Sequence, residues 1–545
     1  MNIWFYNRLQ GLNSALLNFV TKKKIPLDNI FRTLTFIIII RTFLEMLLEK
    51  PHSFRFSPDF YMNIIGYIHI YIFWLSVFLT VAILAKLFLK LRVVEALKLI
   101  LVFSPLILIP PLIDPVLTGG EGGHIFYSFE MNTFLYNYLN CFNPFAEIGT
   151  VTRGVRIEVL AAFAGSFYVS FYIFRAGLLR SILFAFSIYT TVFFYGYLPA
   201  IYKISGIDFY KLSGEAVTGV TRSHKFFFMY LAPSVLIMTA ITGLLYKENN
   251  VSLRSSVFSF LYPSRLLFYI LLLGLGFIFI SHQSGLYPGI LNHEDLMRFI
   301  SAAISITLLF VYAKILNDIY DIEIDKISNR ERPIAKGTVP IESAEQTKNV
   351  LLLPSLIFAL ASEVSFIFYW LFIWAAAYVY SATPFRLRRY YPAGHLILSA
   401  IGVSLFLAGG ALSRSYEVYS AIHQKEIMLY VFLAFFFLSN IKDFKDVEGD
   451  KAGGVVNILN YIMFPRTLGV IFISGFTLSL YLVINILDIS GISTIAGTLI
   501  FLAVSIFFIF RSKNIERIER LLFLSLAFSF YITAIWLYHI TGRMP

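Results

Sequence analysis

Charged residues and cysteines are both scarce in this chain of 545 residues. Only 14% of the residues are charged while 58% are hydrophobic, and this balance excludes a soluble globular protein. The single cysteine, Cys141, excludes a disulfide within the chain. The net charge of +12 does not indicate nucleic acid as a partner, because the basic residues are scattered through short loops between apolar runs. Membrane topology and anionic lipid headgroups explain such a distribution. We therefore expect an all-α, polytopic membrane protein.

Apolar runs of membrane length divide the chain into two parts around a polar linker at residues 247–264. Six runs precede the linker and predict membrane spans at about 34–48, 61–89, 96–117, 157–174, 178–202 and 226–246. Nine follow it, at about 266–280, 299–316, 350–360, 366–381, 396–412, 427–438, 468–487, 495–510 and 521–538. This pattern predicts an N-terminal module of about six helices in residues 1–250 and a nine-helix bundle in residues 264–545. We expect the segment before the first run to lie at the membrane interface.

An acidic stretch stands at the end of the second apolar run of the nine-helix part. On a helix, Asn317, Asp321 and Asp325 fall at i, i+4 and i+8, so their oxygens share one stripe, and Asp318 lies at its edge. Carboxylates at this spacing repel one another unless a cation lies between them. Asp and Asn oxygens suit Mg²⁺, so the stretch predicts a magnesium site.

A second acidic stretch follows a later apolar run and has the same character. Asp443, Asp446 and Asp450 lie at i, i+3 and i+7, on one helix face. Two such faces at the same membrane depth could hold one diphosphate through Mg²⁺ ions. A solvated helix end is an alternative interpretation of either stretch alone. The repetition of the pattern, with Lys or Arg after each stretch, favours a joint site.

Lys and Arg are unequally divided among the loops of the nine-helix part. Loops 326–336, 386–389, 442–451 and 511–520 carry them, whereas 281–296 and 488–493 have none. By the positive-inside rule, the loops rich in Lys and Arg face the cytoplasm. We therefore expect an integral protein of the cell membrane with both acidic stretches on its cytoplasmic side.

Three motifs occur in order along the second part of the chain. They are Asn317-Asp318-x-x-Asp321-x-x-x-Asp325 with Asn329-Arg330-x-Arg332-Pro333, then Tyr380-Ser381-x-x-Pro384-x-Arg386-Leu387-Arg388, then Lys442-Asp443-x-x-Asp446-Val447-Glu448-Gly449-Asp450. Together they resemble the signatures of the UbiA superfamily of intramembrane prenyltransferases, over about residues 264–545. The resemblance implies a nine-helix bundle with a cavity that opens sideways to lipid. It also implies transfer of an isoprenyl group from a polyprenyl diphosphate to a lipophilic or aromatic acceptor.

The resemblance also implies roles for the polar residues of these motifs, with Mg²⁺ as the cofactor. The metal ligands would be Asn317, Asp321, Asp325, Asp443, Asp446 and Asp450. The residues that bind substrate would be Arg330, Arg332, Lys336, Tyr380, Arg386, Arg388 and Lys442. The catalytic residues would be Asp318, Asp321, Asp446 and Tyr380. Ionising an allylic diphosphate releases a highly charged leaving group, so such a site needs positive charge where that charge develops.

Two other functions stay open at this stage. A transporter or scaffold could use the acidic sites to bind cations. Alcohol phosphotransferases of lipid synthesis also cluster Asp on membrane helices, but their Asp-Gly-x-x-Ala-Arg pattern is absent from both stretches. The form of the third motif is similar to the branch that acts on homogentisate, chlorophyllide or geranylgeranylglyceryl phosphate. The sequence leaves the acceptor and the length of the donor chain open.

Overall fold

The structure, a computed structural model, describes most of the chain. The described residues are 2–49, 68–118, 130–143, 146, 148, 151–205, 219–248, 260–283, 293–363, 365–413, 425–460 and 464–542. Every regular element among them is helical, which confirms the expected all-α class. Eleven of the described helical segments are long and apolar enough to cross a membrane, and the protein is an integral membrane protein. The chain divides into two compact units, Met1–Leu253 and Arg254–Pro545.

The described part of the first unit contains ten α-helices. They are α1 (Asn2–Thr21), α2 (Leu27–Leu44), α3 (Ile68–Leu89), α4 (Val93–Phe103), α5 (Ile109–Leu117), α6 (Phe134–Asn140), α7 (Arg153–Tyr168), α8 (Leu178–Gly196), α9 (Leu198–Ile204) and α10 (Gly219–Glu248). Helix α3 packs against α2, α8 and α10. The predicted span at 178–202 is broken after Gly196, because Pro199 begins a new helix in its first turn.

The described part of the second unit contains eleven α-helices. They are α11 (Pro263–Gln283), α12 (His293–Tyr320), α13 (Ile322–Ser328), α14 (Ile341–Ser362), α15 (Phe366–Ser381), α16 (Ala393–Ala411), α17 (Lys425–Lys442), α18 (Val447–Ala452), α19 (Pro465–Ile486), α20 (Ile492–Arg511) and α21 (Leu521–Gly542). Helices α13 and α18 are short. The other nine each overlap one of the nine predicted spans, so the described residues confirm the nine-helix bundle.

The nine long helices of the second unit surround a large apolar core, and a smaller apolar cluster lies around Val311 and Ile334. Helix α12 packs against α14 and α15, α15 against α16, α16 against α11 and α17, and α17 against α19. The series continues through α20 and α21 back to α11. Helices α11 and α16 are in backbone contact, because a Cβ atom on Gly276 would lie 1.8 Å from the carbonyl oxygen of Phe406. Glycine is the residue that permits such a close approach between membrane helices.

Both acidic stretches are bent at their central aspartate, although the sequence predicts a straight helical face for each. Asp321 separates α12 from α13 with φ −106° and ψ 13°, and Asp446 precedes α18 with φ −97° and ψ 2°. Hydrogen bonds from the Asp321 amide to the Asn317 carbonyl (3.0 Å) and from the Asp325 amide to the Asp321 carbonyl (2.8 Å) continue through the first bend. The acidic side chains of that stretch therefore stay on one side.

The two bends lie beside each other because α13 packs on α18. The backbone amide of Gly449 donates to the Ser328 hydroxyl at 2.6 Å. A Cβ atom on Gly449 would lie 2.3 Å from the same hydroxyl oxygen. A residue with a side chain at this position would push the two short helices apart. The glycine therefore brings the two acidic stretches into one site.

Candidate functional site

A cavity of about 160 Å³ lies between α11, α12, α15, α16 and α17, next to the acidic stretches. One part of its wall is apolar and includes Ile306, Leu309 and Leu405. The other part is polar and consists of Arg265, Lys314, Asn317, Arg332, Tyr380, Ser381, Arg388, Lys442 and Asp446. Five of these wall residues are Lys or Arg and only one is a carboxylate. The cavity is therefore suited to a molecule with an anionic head and an apolar body.

Arg388 joins the two acidic stretches. Its guanidinium is in direct contact with the Asp321 carboxylate. It also lies 3.4 Å from an oxygen of Asp450 and 3.8 Å from an oxygen of Asp446. The neighbouring Arg386 donates to Asp321 at 2.9 Å and to the Tyr320 carbonyl at 2.6 Å. Arg386 has φ 43° and ψ 51°, a left-handed conformation that is costly for a residue with a side chain.

Lys314 and Arg332 bind the first acidic stretch from the other side. The Asp318 carboxylate accepts from the Lys314 ammonium at 2.6 Å and from the Arg332 guanidinium at 3.0 Å. Arg332 also donates to Asp325 at 2.5 Å. The second oxygen of Asp318 is buried without a hydrogen-bond partner in the described part of the chain. A buried carboxylate oxygen in this state can still accept a donor or a cation.

Two asparagines each connect a pair of carboxylates, and one of these pairs joins the two acidic stretches. The Asn329 amide donates to Asp446 at 2.7 Å and lies 3.4 Å from an oxygen of Asp325. The Asn457 amide lies 3.3 Å from an oxygen of Asp450 and 3.5 Å from an oxygen of Asp443. These amides hold the carboxylates of both stretches in a common polar network.

Lys442 lies at the end of α17, between the cavity and the second acidic stretch. Its ammonium donates to the Tyr380 hydroxyl at 3.2 Å and is 3.2 Å from an oxygen of Asp443. Asp443 also lies 3.4 Å from Nε2 of His395, whose Nδ1 is 2.9 Å from the Ser439 hydroxyl. Tyr380 therefore positions a cation that lines the cavity.

Three carboxyl groups of the site differ in how well their charge is compensated. Burial by itself raises the pKa of Asp446, but the cations of Arg388, Arg332 and Lys442 outweigh it and hold the pKa well below its usual range. Burial and the Asp443 carboxylate raise the pKa of Asp450 to about 7. Burial also raises the pKa of Asp325 to about 6, although Arg332 opposes this effect. Asp450 and Asp325 therefore lie where an added cation would be most favourable.

The donor set fits Mg²⁺, because the acidic side chains and Asn317 offer oxygen ligands. Within the described residues, however, no three acidic, His or Cys side chains form a cluster that could hold an ion without rearrangement. The physical reason is that Arg388 and Arg332 lie among the carboxylates. A metal would have to displace these guanidiniums from Asp321 and Asp325.

The structure brings together most of the predicted site residues, but not all. Arg330 and Lys336 are exposed, and neither is among the residues that line the cavity. Arg330 donates to the Lys326 carbonyl, and Lys336 pairs with Glu331 at 2.5 Å. Their role in binding substrate stays a prediction.

Five residues at the site carry contacts that the sequence interpretation did not anticipate. They are Arg265, Lys314, Asn329, His395 and Asn457. A signal was available for Lys314, since a lysine inside an apolar span four residues before Asp318 is costly unless it is paired. The contact partners of Asn329 and Asn457 depend on how the chain folds.

Comparisons with known proteins give consistent relatives for the second unit. Residues 284–530 match the UbiA prenyltransferase family. The digeranylgeranylglyceryl phosphate synthase of Methanocaldococcus jannaschii is 26% identical over 30% of this chain and 55% of its own length. The enzyme of the same name from Methanococcus aeolicus is 29% identical over 29% of this chain and 53% of its own length. The chain thus spans about half the length of these curated relatives.

Solved structures of similar proteins also match about half of the chain. A UbiA homologue from Archaeoglobus fulgidus, bound to DMAPP and Mg²⁺, is 17% identical over 51% of this chain and 99% of its own, with a TM-score of 0.38. A structure described as digeranylgeranylglyceryl phosphate synthase is 21% identical over 52% of this chain and 97% of its own, with a TM-score of 0.36.

Replacing Arg388 by Gln should strengthen the binding of a divalent cation in the absence of substrate. The substitution removes the positive charge that contacts Asp321 and lies near Asp446 and Asp450. Charged hydrogen bonds of this kind are worth about 1.5–3 kcal/mol, so we expect the Kd for Mn²⁺ to fall by roughly tenfold or more. Titration of the purified protein with Mn²⁺, followed by electron paramagnetic resonance, measures this Kd. Arg389→Gln, which removes an equal charge one residue away, is the matched control. Equal Mn²⁺ affinity in wild type and Arg388→Gln would contradict the prediction.

Proposed function

We propose that this protein is a membrane prenyltransferase, because residues 284–530 match the UbiA prenyltransferase family. It transfers an isoprenyl group from a polyprenyl diphosphate to a lipid acceptor, and we assign this activity to the second unit. One observation carries the proposal: a single cavity has an apolar wall inside the bundle and a cationic wall next to both acidic stretches. A polyprenyl diphosphate has the same division, because its head is anionic and its chain is apolar.

The diphosphate would lie at the polar wall of the cavity. Arg388 and Lys442 line this wall and carry donors that can move from their carboxylate partners to phosphate oxygens. Mg²⁺, when bound by oxygens of Asn317, Asp321, Asp325, Asp443, Asp446 and Asp450, would supply further positive charge for the leaving group. Both sources of charge favour cleavage of the allylic carbon–oxygen bond, since negative charge develops on the diphosphate.

The reacting carbon would lie in the apolar part of the cavity. Ile306, Leu309 and Leu405 exclude water there, which protects a cationic carbon from hydrolysis. Tyr269 and Phe310 also line the cavity, with ring centroids 5.4 Å apart. Aromatic faces at the wall can stabilise a cation through their negative quadrupole.

We further propose that the acceptor carries a phosphate. Arg265 and Lys314 line the cavity, and the Lys314 ammonium lies 4.9 Å from the centre of the Tyr262 ring. Lys314 donates to Asp318 and Arg265 to Glu519, which leaves further N–H groups of both side chains for an anion. Two relatives of the second unit are named digeranylgeranylglyceryl phosphate synthases, which supports a glyceryl phosphate lipid as the acceptor.

The purified full chain should transfer a labelled polyprenyl group in the presence of Mg²⁺ and should stop when the metal is chelated. Asp321→Ala and Asp446→Ala should each lower transfer by at least about a hundredfold, because each removes a charged oxygen ligand near the leaving group. Thin-layer chromatography of labelled lipid measures the product. Glu323→Ala is the matched control, since this exposed carboxylate pairs with Lys326 on α13 and does not line the cavity.

Two results would contradict the proposed activity. Full transfer in the presence of chelator would exclude the metal. A folded protein that gives no product with any polyprenyl diphosphate and a lipid extract would favour a cation-binding transporter or scaffold instead.

Replacing Lys314 by Met should weaken binding of the acceptor more than binding of the diphosphate donor. The substitution keeps the length of the side chain but removes the ammonium that would bind the acceptor phosphate. We expect KM for a glyceryl phosphate lipid to rise about tenfold, with KM for the diphosphate changed by less. Steady-state kinetics with each substrate varied in turn measures both constants. The wild-type protein should also prefer this lipid to its dephosphorylated form. Equal use of the two forms would exclude a phosphate subsite.

We also propose that the protein lies in the plasma membrane with both acidic stretches on the cytoplasmic side. The unequal division of Lys and Arg among the loops supports this orientation. Single cysteines at Glu323 and Ala452, in a Cys141→Ser background, should then react with an impermeant thiol reagent only after the membrane is opened. A cysteine at Ser490, which follows the carboxyl-terminal end of α19, should react in intact cells. The extent of labelling, read by a shift in gel mobility, decides between the two orientations. The reverse labelling pattern would overturn the proposed topology.

A further inference from the structure

The first unit contains a separate cavity of about 100 Å³ between α3, α4, α7 and α8. Its wall consists almost entirely of aliphatic and aromatic residues, such as Val77, Ile100 and Phe184. Glu158, in the second turn of α7, is the only ionisable residue among those that line it. The cavity is therefore apolar along its length and has one carboxyl group on its wall.

Glu158 is buried inside the first unit. The residue is 6% exposed and lies within a membrane-spanning segment. Within the described residues its carboxyl group interacts with the charge of Arg41, which is attractive, and with that of Asp114, which is repulsive. An ionisable group in this position is costly unless it is paired, and in membrane proteins such groups commonly mark a functional site. Packing alone does not explain a carboxyl group here.

The neighbouring charged groups already have partners. Arg41 forms an ion pair with Glu45, and its guanidinium lies over the Trp74 ring at 5.5 Å from the centroid. Asp114 accepts hydrogen bonds from the Thr152 hydroxyl at 2.6 Å and from the Gly154 amide at 2.7 Å. Asp114 thereby binds the amino-terminal end of α7, where an anion is favourable. Glu158 differs from these groups because its carboxyl faces a space that no protein side chain fills.

The chemistry of the wall limits what could occupy this space. An ammonium group has three N–H donors, and the wall offers few acceptors besides Glu158 and the hydroxyl of Ser166. A single hydroxyl group can donate to a carboxylate or accept from a protonated carboxyl, so it matches Glu158 in either state. The rest of the ligand has to be apolar to match the aliphatic and aromatic wall.

We propose that this cavity is a binding site for a long-chain alcohol or another lipid that ends in a single hydroxyl group. The hydroxyl is held by Glu158, and the chain lies between α3, α4, α7 and α8. The site belongs to the first unit and does not depend on prenyl transfer by the second.

Photo-crosslinking of the purified full chain tests the proposal. The probe is a long-chain primary alcohol with a diazirine in its chain and a terminal alkyne, and the matched probe is its methyl ether, which cannot donate a hydrogen bond. The alcohol should label peptides from residues 68–89 and 153–173 in a saturable way, with an apparent Kd about tenfold lower than that of the ether. Mass spectrometry after proteolysis locates and quantifies the label.

Two variants distinguish the contribution of the carboxyl group to binding from that of the cavity. Glu158→Leu should bind both probes equally and should remain folded, because Leu is an apolar side chain of similar volume and Arg41 keeps its ion pair with Glu45. Ala162→Phe should fill the cavity and lower labelling by both probes. Glu130→Leu, an exposed carboxylate of the same unit, is the control. Size-exclusion profiles and thermal unfolding confirm that each variant is folded. The proposal is overturned if the alcohol and ether label wild type equally, if Glu158→Leu keeps the preference for alcohol, or if neither peptide is labelled.

Discussion

The contact between guanidinium groups and buried carboxylates at the ends of α12 and α17 is the interaction on which the second unit depends. Six aspartates in two stretches would repel one another at this depth if they had no counter-charge. Arg388 contacts Asp321 and lies near Asp446 and Asp450, while Arg332 binds Asp318 and Asp325. The same cations that stabilise the fold also line the cavity. Stability and the proposed binding of substrate would therefore use the same side chains.

The double role of these cations affects how strongly substrate and metal bind. A diphosphate offers the guanidiniums new anionic partners, and the carboxylates that they leave become available to divalent cations. Substrate and metal should then strengthen each other's binding, because each removes a partner that competes with the other. A site without guanidiniums beside its carboxylates would bind metal even in the absence of substrate. It would, however, have fewer cationic side chains to bind the phosphate groups.

The nine spans of the second unit could be predicted because a helix in lipid must satisfy its own backbone, so long apolar runs are reliable signals. The approximate grouping of the acidic residues followed from their helical spacing. The bends at Asp321 and Asp446 could not be predicted in this way, because the spacing of side chains is nearly the same in a straight helix and in one with a short interruption. The bond from Asn329 to Asp446 links residues 117 positions apart and depends on how α13 packs on α18. Arg330 and Lys336 belong to the same basic loop as Arg332, but only Arg332 is turned toward the carboxylates.

The backbone contact between α11 and α16 restricts how the bundle can change shape. Gly276 and Gly409 allow the two helices to touch without intervening side chains, so sliding or separation of this pair would lose close packing contacts that lipid chains do not restore. A long isoprenoid chain that enters sideways must therefore pass between other helices, where side chains can change rotamer. The two glycines fix one side of the bundle as a closed seam, and any entrance from the bilayer has to lie away from it.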